Sequence, residues 1–228
     1  MKINADDLLN SIIASLDRVQ FISSEDIPNI DLYMDQVTTF MDSRLRNTVR
    51  DEAEDKVLTK TMINNYAKNN LLPPPVKKKY SREHVLLLIF IYYFKNILSI
   101  NDIQRMLNPM AERYFGKDGG FGVKEIYEQV IAMEPYQIEN LKKDIIDKYN
   151  SASEDFQEIE GEEQEFLQTF SFICKLSFDV YIKKLMIEKI LDEYYRKHGG
   201  TGEGGKKEET KKQDSKKDAK KAATKKEK

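Results

Sequence analysis

Cysteine is almost absent from this sequence, since Cys174 is the only one among 228 residues. One cysteine excludes an internal disulfide framework and any zinc site built from several cysteines. Long apolar runs are also missing: the longest, Val85–Phe94, is about half of what a membrane-spanning helix needs. The N-terminal residues lack the uninterrupted apolar stretch of a secretory signal. These absences predict a soluble, cytoplasmic protein that does not contact a membrane.

Catalytic and metal-binding patterns are missing as well. The two histidines, His84 and His198, make no pair at metal-ligand spacing, and there is no Ser–His–Asp set, catalytic carboxylate pair or cofactor fingerprint. The position of His84 near the start of an apolar segment favours a structural histidine. Cys174 lies among apolar residues, which is typical of a buried, inert thiol. We therefore predict a protein that is not an enzyme and that binds no cofactor and no metal.

The net charge of −2 conceals a strong segregation of charge along the chain. Residues 1–55 carry a net charge of −7, residues 56–117 carry +8, and residues 118–195 carry −10. The final segment, residues 203–228, carries +5. A local basic region is expected of a surface that contacts phosphates, although solvated lysines would produce the same pattern.

Apolar residues at helical spacing predict an all-α protein. The predicted helices cover residues 6–22, 31–45, 58–70, 82–96, 100–107, the region 123–149, and 163–197. Residues 77–80 form a basic strand or loop after the helix-breaking Pro73–Pro75. From Gly199 onward the chain loses all apolar periodicity, which predicts a disordered, Lys-rich tail.

The last predicted helix is unusually apolar. Of the 30 residues from Phe166 to Tyr195, 18 are apolar or aromatic. A surface helix needs an apolar stripe of only about three residues in seven. This helix must therefore bury more than one face, either against the body of the protein or against another chain.

The predicted helix 58–70 has two chemically different faces. One face is apolar and carries Leu58, Met62, Ile63 and Tyr66. The other face combines cations with hydrogen-bonding side chains and has no acid: Lys60, Thr61, Asn64, Asn65 and Lys68. In a major groove, asparagine pairs with adenine and lysine reaches guanine or phosphate. The neighbouring lysines at positions 77–79 are well placed to contact the flanking backbone.

Several short motifs follow one another in this basic region. They are Ile63–Asn64–Asn65–Tyr66, Leu71–Leu72–Pro73, Lys78–Lys79–Tyr80–Ser81 and Leu98–Ser99–Ile100–Asn101–Asp102–Ile103. Their order resembles that of MerR-type winged helix-turn-helix regulators. Residues 27–37 and 58–66 more closely resemble an uncharacterised bacterial family, domain of unknown function number eighteen thirty-six, which is itself thought to be MerR-like. The resemblance covers about residues 25–150 and is more specific for fold than for activity.

The resemblance implies a role for each segment. Residues 31–45 would be the first helix of the helix-turn-helix, 58–69 the recognition helix, 71–80 the wing and 82–107 the supporting helices. The sequence departs from the MerR pattern in the long link at 46–57. It also has Asn64 and Lys78 where MerR proteins carry arginines, and the lysine loses the bidentate geometry of an arginine.

These observations predict a MerR-like transcriptional regulator that binds duplex DNA as a homodimer. The predicted DNA-binding residues are Thr59, Lys60, Thr61, Asn64, Asn65, Lys68, Lys77, Lys78, Lys79, Tyr80 and Arg82. The predicted segments are an N-terminal helix at 1–24, the winged helix-turn-helix at 25–110, a C-terminal helical region at 111–198 that pairs two copies, and the tail at 199–228. Two alternatives stay open: a helical adaptor that binds a protein partner, and an RNA-binding protein that uses the same basic face. A small-molecule effector also stays open.

Overall fold

The computed structural model describes residues 5–16, 21–51, 54–117, 119–132 and 134–198. The described part of the chain contains eight α-helices, two short 3-10 helices and one sheet of two short strands. The two strands have two residues each, so the prediction of a mainly α-helical protein is confirmed. The described part of the chain divides into two units, with the boundary after Glu188.

The elements follow one another in this order. The structure has α1 (Ala5–Leu16), β1 (Leu32–Tyr33), α2 (Met34–Leu45), α3 (Lys60–Lys68), β2 (Lys79–Tyr80), α4 (Arg82–Phe94), α5 (Ile100–Tyr114), α6 (Val123–Ile131), α7 (Glu134–Ser153) and α8 (Glu162–His198). The 3-10 helices are Ser24–Asp26 and Arg46–Thr48.

Helix α4 lies at the centre of the larger hydrophobic core. All of its residues from His84 to Tyr92 are buried, as expected for a helix that is apolar on every side. It contacts α5, α6 and β2, and residues of α2 and α3 such as Met41 and Ile63 are completely buried in the same unit. Because one helix is surrounded by the others, the elements that carry the basic residues are held on a packed support.

Residues 21–27, which we call the strap, cross from the N-terminal region onto this core. Ile22 and Ile27 are buried, and the Tyr127 hydroxyl of α6 donates a hydrogen bond to the backbone carbonyl of Ile22. Ser24 is also buried, and its hydroxyl donates to Glu128. The strap is therefore tied to α6 by both hydrophobic burial and hydrogen bonds.

A second, smaller core brings together helices from opposite ends of the chain. Ile145 and Ala152 of α7 and Phe172 of α8 are its buried residues. Several side chains of α1, α7 and α8 pack against them: Leu9, Ile12, Ile13, Leu16, Tyr149 and Leu176. The apolar face predicted for the N-terminal helix is thus buried against the C-terminal helices.

Several helix boundaries differ from the sequence prediction, most clearly those of α1 and α5. The described part of α1 is Ala5–Leu16; residues 17–20 of the predicted helix 6–22 lie outside the described residues, and its last two residues, Phe21 and Ile22, are not helical. Helix α5 continues through Pro109 to Tyr114, where the sequence predicted an end at 107. Proline removes one intrahelical hydrogen bond, but the half-buried Met110 and Ala111 keep the next turn packed. The long predicted helix at 163–197 is confirmed as α8.

Among the described helices, none has the length and apolar character needed to cross a membrane. The predicted Lys-rich tail at 199–228 lies outside the described residues.

Replacing Tyr127 with phenylalanine tests how firmly the strap is held. The change leaves the buried carbonyl of Ile22 without this donor, so we expect the free energy of unfolding to fall by about 1–3 kcal/mol. Chemical denaturation of Tyr127→Phe and wild type measures it. The matched control is Gln129→Ala on the exposed face of α6, which should change stability by less than about 0.5 kcal/mol. Equal stability of Tyr127→Phe and wild type would contradict this account of the strap.

Candidate nucleic-acid interface

Helix α3 is short but has clear signals at both ends. Its N-cap is Thr59, whose hydroxyl oxygen accepts a hydrogen bond from the backbone N–H of Met62 at 3.1 Å. At the other end Asn70 adopts a left-handed conformation (φ 56°), and Leu71 donates its backbone N–H to the carbonyl of Tyr66 at 2.8 Å. This is a Schellman motif, in which asparagine replaces the usual glycine. The two caps fix where α3 begins and ends.

The outward face of α3 is the polar one that the sequence predicts. Ile63 and Tyr66 are buried on the inward side, together with Leu58 just before the helix. The exposed side chains are those of Lys60, Thr61, Asn64, Asn65 and Lys68. Met62 is a correction to the predicted apolar face: it is 36% exposed, because it lies about 100° around the helix from Ile63.

Residues 76–79 form a tight hairpin with two lysines at its tip. The backbone N–H and carbonyl groups of Val76 and Lys79 are paired in both directions, at 3.1 and 2.9 Å. Lys77 and Lys78 between them have φ angles of 51° and 64°. Two left-handed residues in a two-residue hairpin are typical of a type I′ turn, for which Asn-Gly is the preferred sequence. Two exposed lysines therefore occupy a backbone conformation that other residues adopt more easily.

The start of α2 joins the hairpin to α3. Strand β1 pairs antiparallel with β2, with Tyr33 opposite Lys79. The Lys79 ammonium lies over the Tyr33 ring, 5.2 Å from its centroid. Two residues after Tyr33, the Asp35 carboxylate forms an ion pair with Lys60 at the start of α3. The hairpin and α3 therefore lie on either side of the first turn of α2 and contribute to one surface.

We call this the basic surface. It consists of the exposed Lys60, Thr61, Asn64, Asn65, Lys68, Lys77 and Lys78, with the half-buried Lys79 beside them. Eight of the eleven residues that the sequence analysis selected thus lie, exposed or half-buried, on the two elements that contact the start of α2.

The remaining three selected residues have internal contacts. Thr59 caps α3 with its hydroxyl oxygen. Tyr80 is 2% exposed. The Arg82 side chain is one-fifth exposed; it donates a hydrogen bond to the backbone carbonyl of Ser24 and lies 3.6 Å from the Glu25 carboxylate. Thr59 and Tyr80 therefore stabilise α3 and the hairpin from within, whereas Arg82 contacts the strap.

His84 connects the hairpin to the central helix. Its Nδ1 accepts a hydrogen bond from the backbone N–H of Ser81 at 3.0 Å, which caps α4. Its ring makes edge-on contacts with Tyr80 at 5.5 Å and with Phe115 at 4.7 Å between centroids. The ring is 2% exposed, so the predicted structural histidine lies directly behind the hairpin.

Burial determines the protonation of the groups behind this surface. It raises the pKa of Tyr66 and of Tyr80, so both phenols stay neutral. Burial also lowers the pKa of His84. The backbone carbonyls of Pro74 and Pro73 and the Asp31 carboxylate raise this pKa, but their effect is smaller than that of burial. The side chains of Tyr66, Tyr80 and His84 are therefore uncharged at neutral pH.

No group of three or more histidine, cysteine or acidic side chains is arranged to hold a metal ion within the described ranges. Cys174 is half-buried in α8 and forms no disulfide, where the sequence predicted a buried thiol. An open polar cavity of about 380 Å³ lies between the strap and the end of α2. Its arginines already have acidic neighbours, because Arg44 lies 3.6 Å from Asp26 and Arg46 pairs with Asp42.

Sequence reasoning missed the contribution of the start of α2. Strand β1 has only two residues, which is too short for the alternating pattern that reveals a strand. The Tyr33–Lys79 and Asp35–Lys60 contacts join residues that are 46 and 25 positions apart. No local signal marks contacts of that kind.

Comparison with known families gives one match. Residues 22–130 match a family described as "Domain of unknown function (DUF1836)". The match begins in the strap and ends in α6, so it covers the elements around α4 and the basic surface. It confirms the predicted resemblance to an uncharacterised domain-of-unknown-function family. No curated protein and no solved structure matches the sequence.

Replacing His84 with glutamine tests the coupling of protonation to stability. Because the folded state lowers the pKa of His84 below 6.5, the unfolded state binds the proton more tightly. The stabilisation from the neutral ring is complete above about pH 6.5 and is lost as the pH falls through the lowered pKa. The loss has a slope of at most about 1.4 kcal/mol per pH unit.

Glutamine at the third helical position also accepts a bond from the cap N–H but does not titrate in this range. We expect unfolding measurements between pH 5 and 7.5 to show a shallower pH dependence for His84→Gln than for wild type. The acids of the chain are the same in both proteins, which removes their contribution from the comparison. Parallel curves would show that His84 does not contribute to the pH dependence.

Proposed function

We propose that this protein is a DNA-binding transcriptional regulator with a MerR-like winged helix-turn-helix. In this proposal α2 and α3 are the two helices of the motif, α3 is the recognition helix and residues 71–80 are the wing. The observation that carries the proposal is the basic surface, in which the acid-free face of α3 and the lysine-tipped hairpin flank the first turn of α2.

The side chains of the basic surface are suited to two different tasks on a duplex. Asn64 and Asn65 are exposed on the outward face of α3, and an asparagine can pair with adenine through two hydrogen bonds in the major groove. The lysines supply charge for phosphates, which gives affinity and register but no sequence information. Helix α3 is about 13 Å long, comparable to the width of a major groove.

The hairpin tip supports this proposal through its backbone. A non-glycine residue in the left-handed region loses about 1–2 kcal/mol relative to ordinary helical backbone. Residues with a strained backbone are concentrated at functional sites, such as those that bind a ligand. Lys77 and Lys78 are exposed at the tip, so neither packing nor burial explains the choice of lysine. Phosphate binding does explain it.

Replacing the tip with Asn-Gly separates stability from binding. In Lys77→Asn/Lys78→Gly the turn receives its preferred residues, so we expect the free energy of unfolding to rise by about 1 kcal/mol. The same change removes two cations, so affinity for a mixed-sequence duplex should fall several-fold. Each lost phosphate contact should also reduce the slope of log affinity against log salt by about 0.9. Fluorescence anisotropy at several salt concentrations measures both quantities.

The matched control is Lys117→Ala/Lys143→Ala, which removes the same charge from two exposed lysines outside the basic surface. Equal losses in both double variants would reduce DNA binding to net charge and contradict the proposal. Binding of structured RNA at equal or higher affinity than duplex DNA would favour the RNA-binding alternative.

We also propose that the regulator is a homodimer that pairs through α8. Within residues 162–188, α8 buries Phe172 against α7 but leaves ten large apolar side chains exposed. These are Phe166, Phe170, Ile173, Phe178, Val180, Tyr181, Ile182, Leu185, Met186 and Ile187. So large an exposed apolar set on one helix is typical of a protein interface.

The charges on α8 favour a second copy in antiparallel orientation. The first turn is acidic, with Glu162, Glu163 and Glu165, and cations follow at Lys183 and Lys184, which pair with Asp179 and Glu188 on the exposed part of the same helix. Antiparallel pairing places the acidic start of each helix beside the lysines of the other, around a twofold axis near Ile173. A twofold dimer also matches a palindromic pair of DNA half-sites.

A charge at the centre of this contact should separate the copies. Ile173 is 55% exposed, so Ile173→Glu removes little packing within the chain, but it would place two like charges at the twofold axis. We expect light scattering to give a dimer mass for wild type and a monomer mass for the variant, with unchanged helical content. The control is Val130→Glu on α6, which is 52% exposed and outside the contact. A monomeric wild-type protein would contradict the dimer and favour the adaptor alternative, in which α8 binds a different protein.

A further inference from the structure

Among the residues that the structure describes, one ion pair links an acid directly to the basic surface. It joins the Asp35 carboxylate to the Lys60 ammonium. Asp35 is in the first turn of α2, and its side chain is 75% exposed; that of Lys60 is 60% exposed. Both groups are therefore in contact with water as well as with each other. A carboxylate at this place repels the phosphates that the neighbouring lysines attract.

Helix capping does not account for Asp35. The N-cap of α2 is Tyr33, and its backbone N–H is already bound by the Gln36 side-chain oxygen at 2.8 Å. Asp35 uses only its backbone carbonyl within the helix, where it accepts a bond from Thr38 at 2.9 Å. An acid in the first turn does interact favourably with the helix dipole, but that effect does not require contact with Lys60.

Fold stability does not account for the ion pair either. Pairs between two exposed side chains contribute little to stability, because water screens them and both side chains lose conformational freedom. The carboxylate is instead in the position that a phosphate oxygen would take at the Lys60 ammonium. The Tyr33–Lys79 contact two residues earlier places the same turn beside the wing.

We propose that Asp35 is an internal competitor for phosphate, which holds Lys60 until a duplex displaces it. This inference rests on the proposed DNA binding by the basic surface. Displacement of the carboxylate lowers affinity for every duplex by the same factor. At a specific DNA site, the asparagines of α3 make additional contacts to bases, and these contacts offset the lost affinity. Non-specific DNA offers no such contacts. Asp35 therefore limits non-specific binding and leaves the base-reading residues untouched.

Asp35→Asn tests the proposal, because it keeps the shape of the side chain and removes the charge. We expect affinity for a mixed-sequence duplex to rise about three- to tenfold at low salt, and the gain to shrink as salt screens the repulsion. Comparing Lys60→Ala with Asp35→Asn/Lys60→Ala measures the effect of Asp35→Asn when Lys60 is absent. If Asp35 acts by occupying Lys60, most of the gain disappears in the Lys60→Ala background.

The matched control is Asp31→Asn, which removes one exposed acid four residues earlier. A gain from Asp31→Asn as large as that from Asp35→Asn, or a gain that persists without Lys60, would reduce the effect to net charge and overturn the inference. A wild type that binds duplex DNA with the same affinity as Asp35→Asn would also overturn it, while the proposed function stands. Absence of duplex binding by both wild type and Asp35→Asn would overturn the proposed function itself, and this inference with it.

Discussion

Burial of α4 on all sides is the constraint on which the rest of the larger core depends. A helix with no polar face is stable in water only when other elements cover it, and here α5, α6 and β2 contact it directly. The same burial places His84 at the start of the helix, where it caps α4 and supports the hairpin. The geometry of the hairpin at residues 76–79 is therefore a consequence of core packing, although its lysines are at the surface.

The start of α2 organises the basic surface, because it contacts both the hairpin and α3. It pairs with the hairpin through Tyr33 and with α3 through Asp35, so two short elements gain a fixed spacing. Recognition of a duplex requires such spacing, because phosphate contacts set the register in which a helix reads the bases. A basic segment without this junction would attract polyanions but would not present a defined face.

The smaller core links the N-terminal helix to the C-terminal helices. Helix α1 packs with α7 and α8, so the N-terminal residues contribute to the region that carries the exposed apolar face of α8. The family match covers residues 22–130 and leaves this region outside. The family match and the exposed apolar face of α8 thus lie in different parts of this chain.

The sequence by itself determined the helical class, the long apolar helix, the polar face of α3 and the segregation of charge, because each follows from local spacing or composition. Periodicity identified Ile63 and Tyr66 as inward residues without any knowledge of the fold. Only the tertiary structure decided that Tyr80 and Arg82 turn inward, that α5 passes through Pro109, and that Asp35 meets Lys60. These outcomes depend on contacts between residues distant in the chain, whose energies are not encoded in any local pattern. For the same reason, the charge pattern predicted a basic region, but tertiary packing determined which cations share one surface.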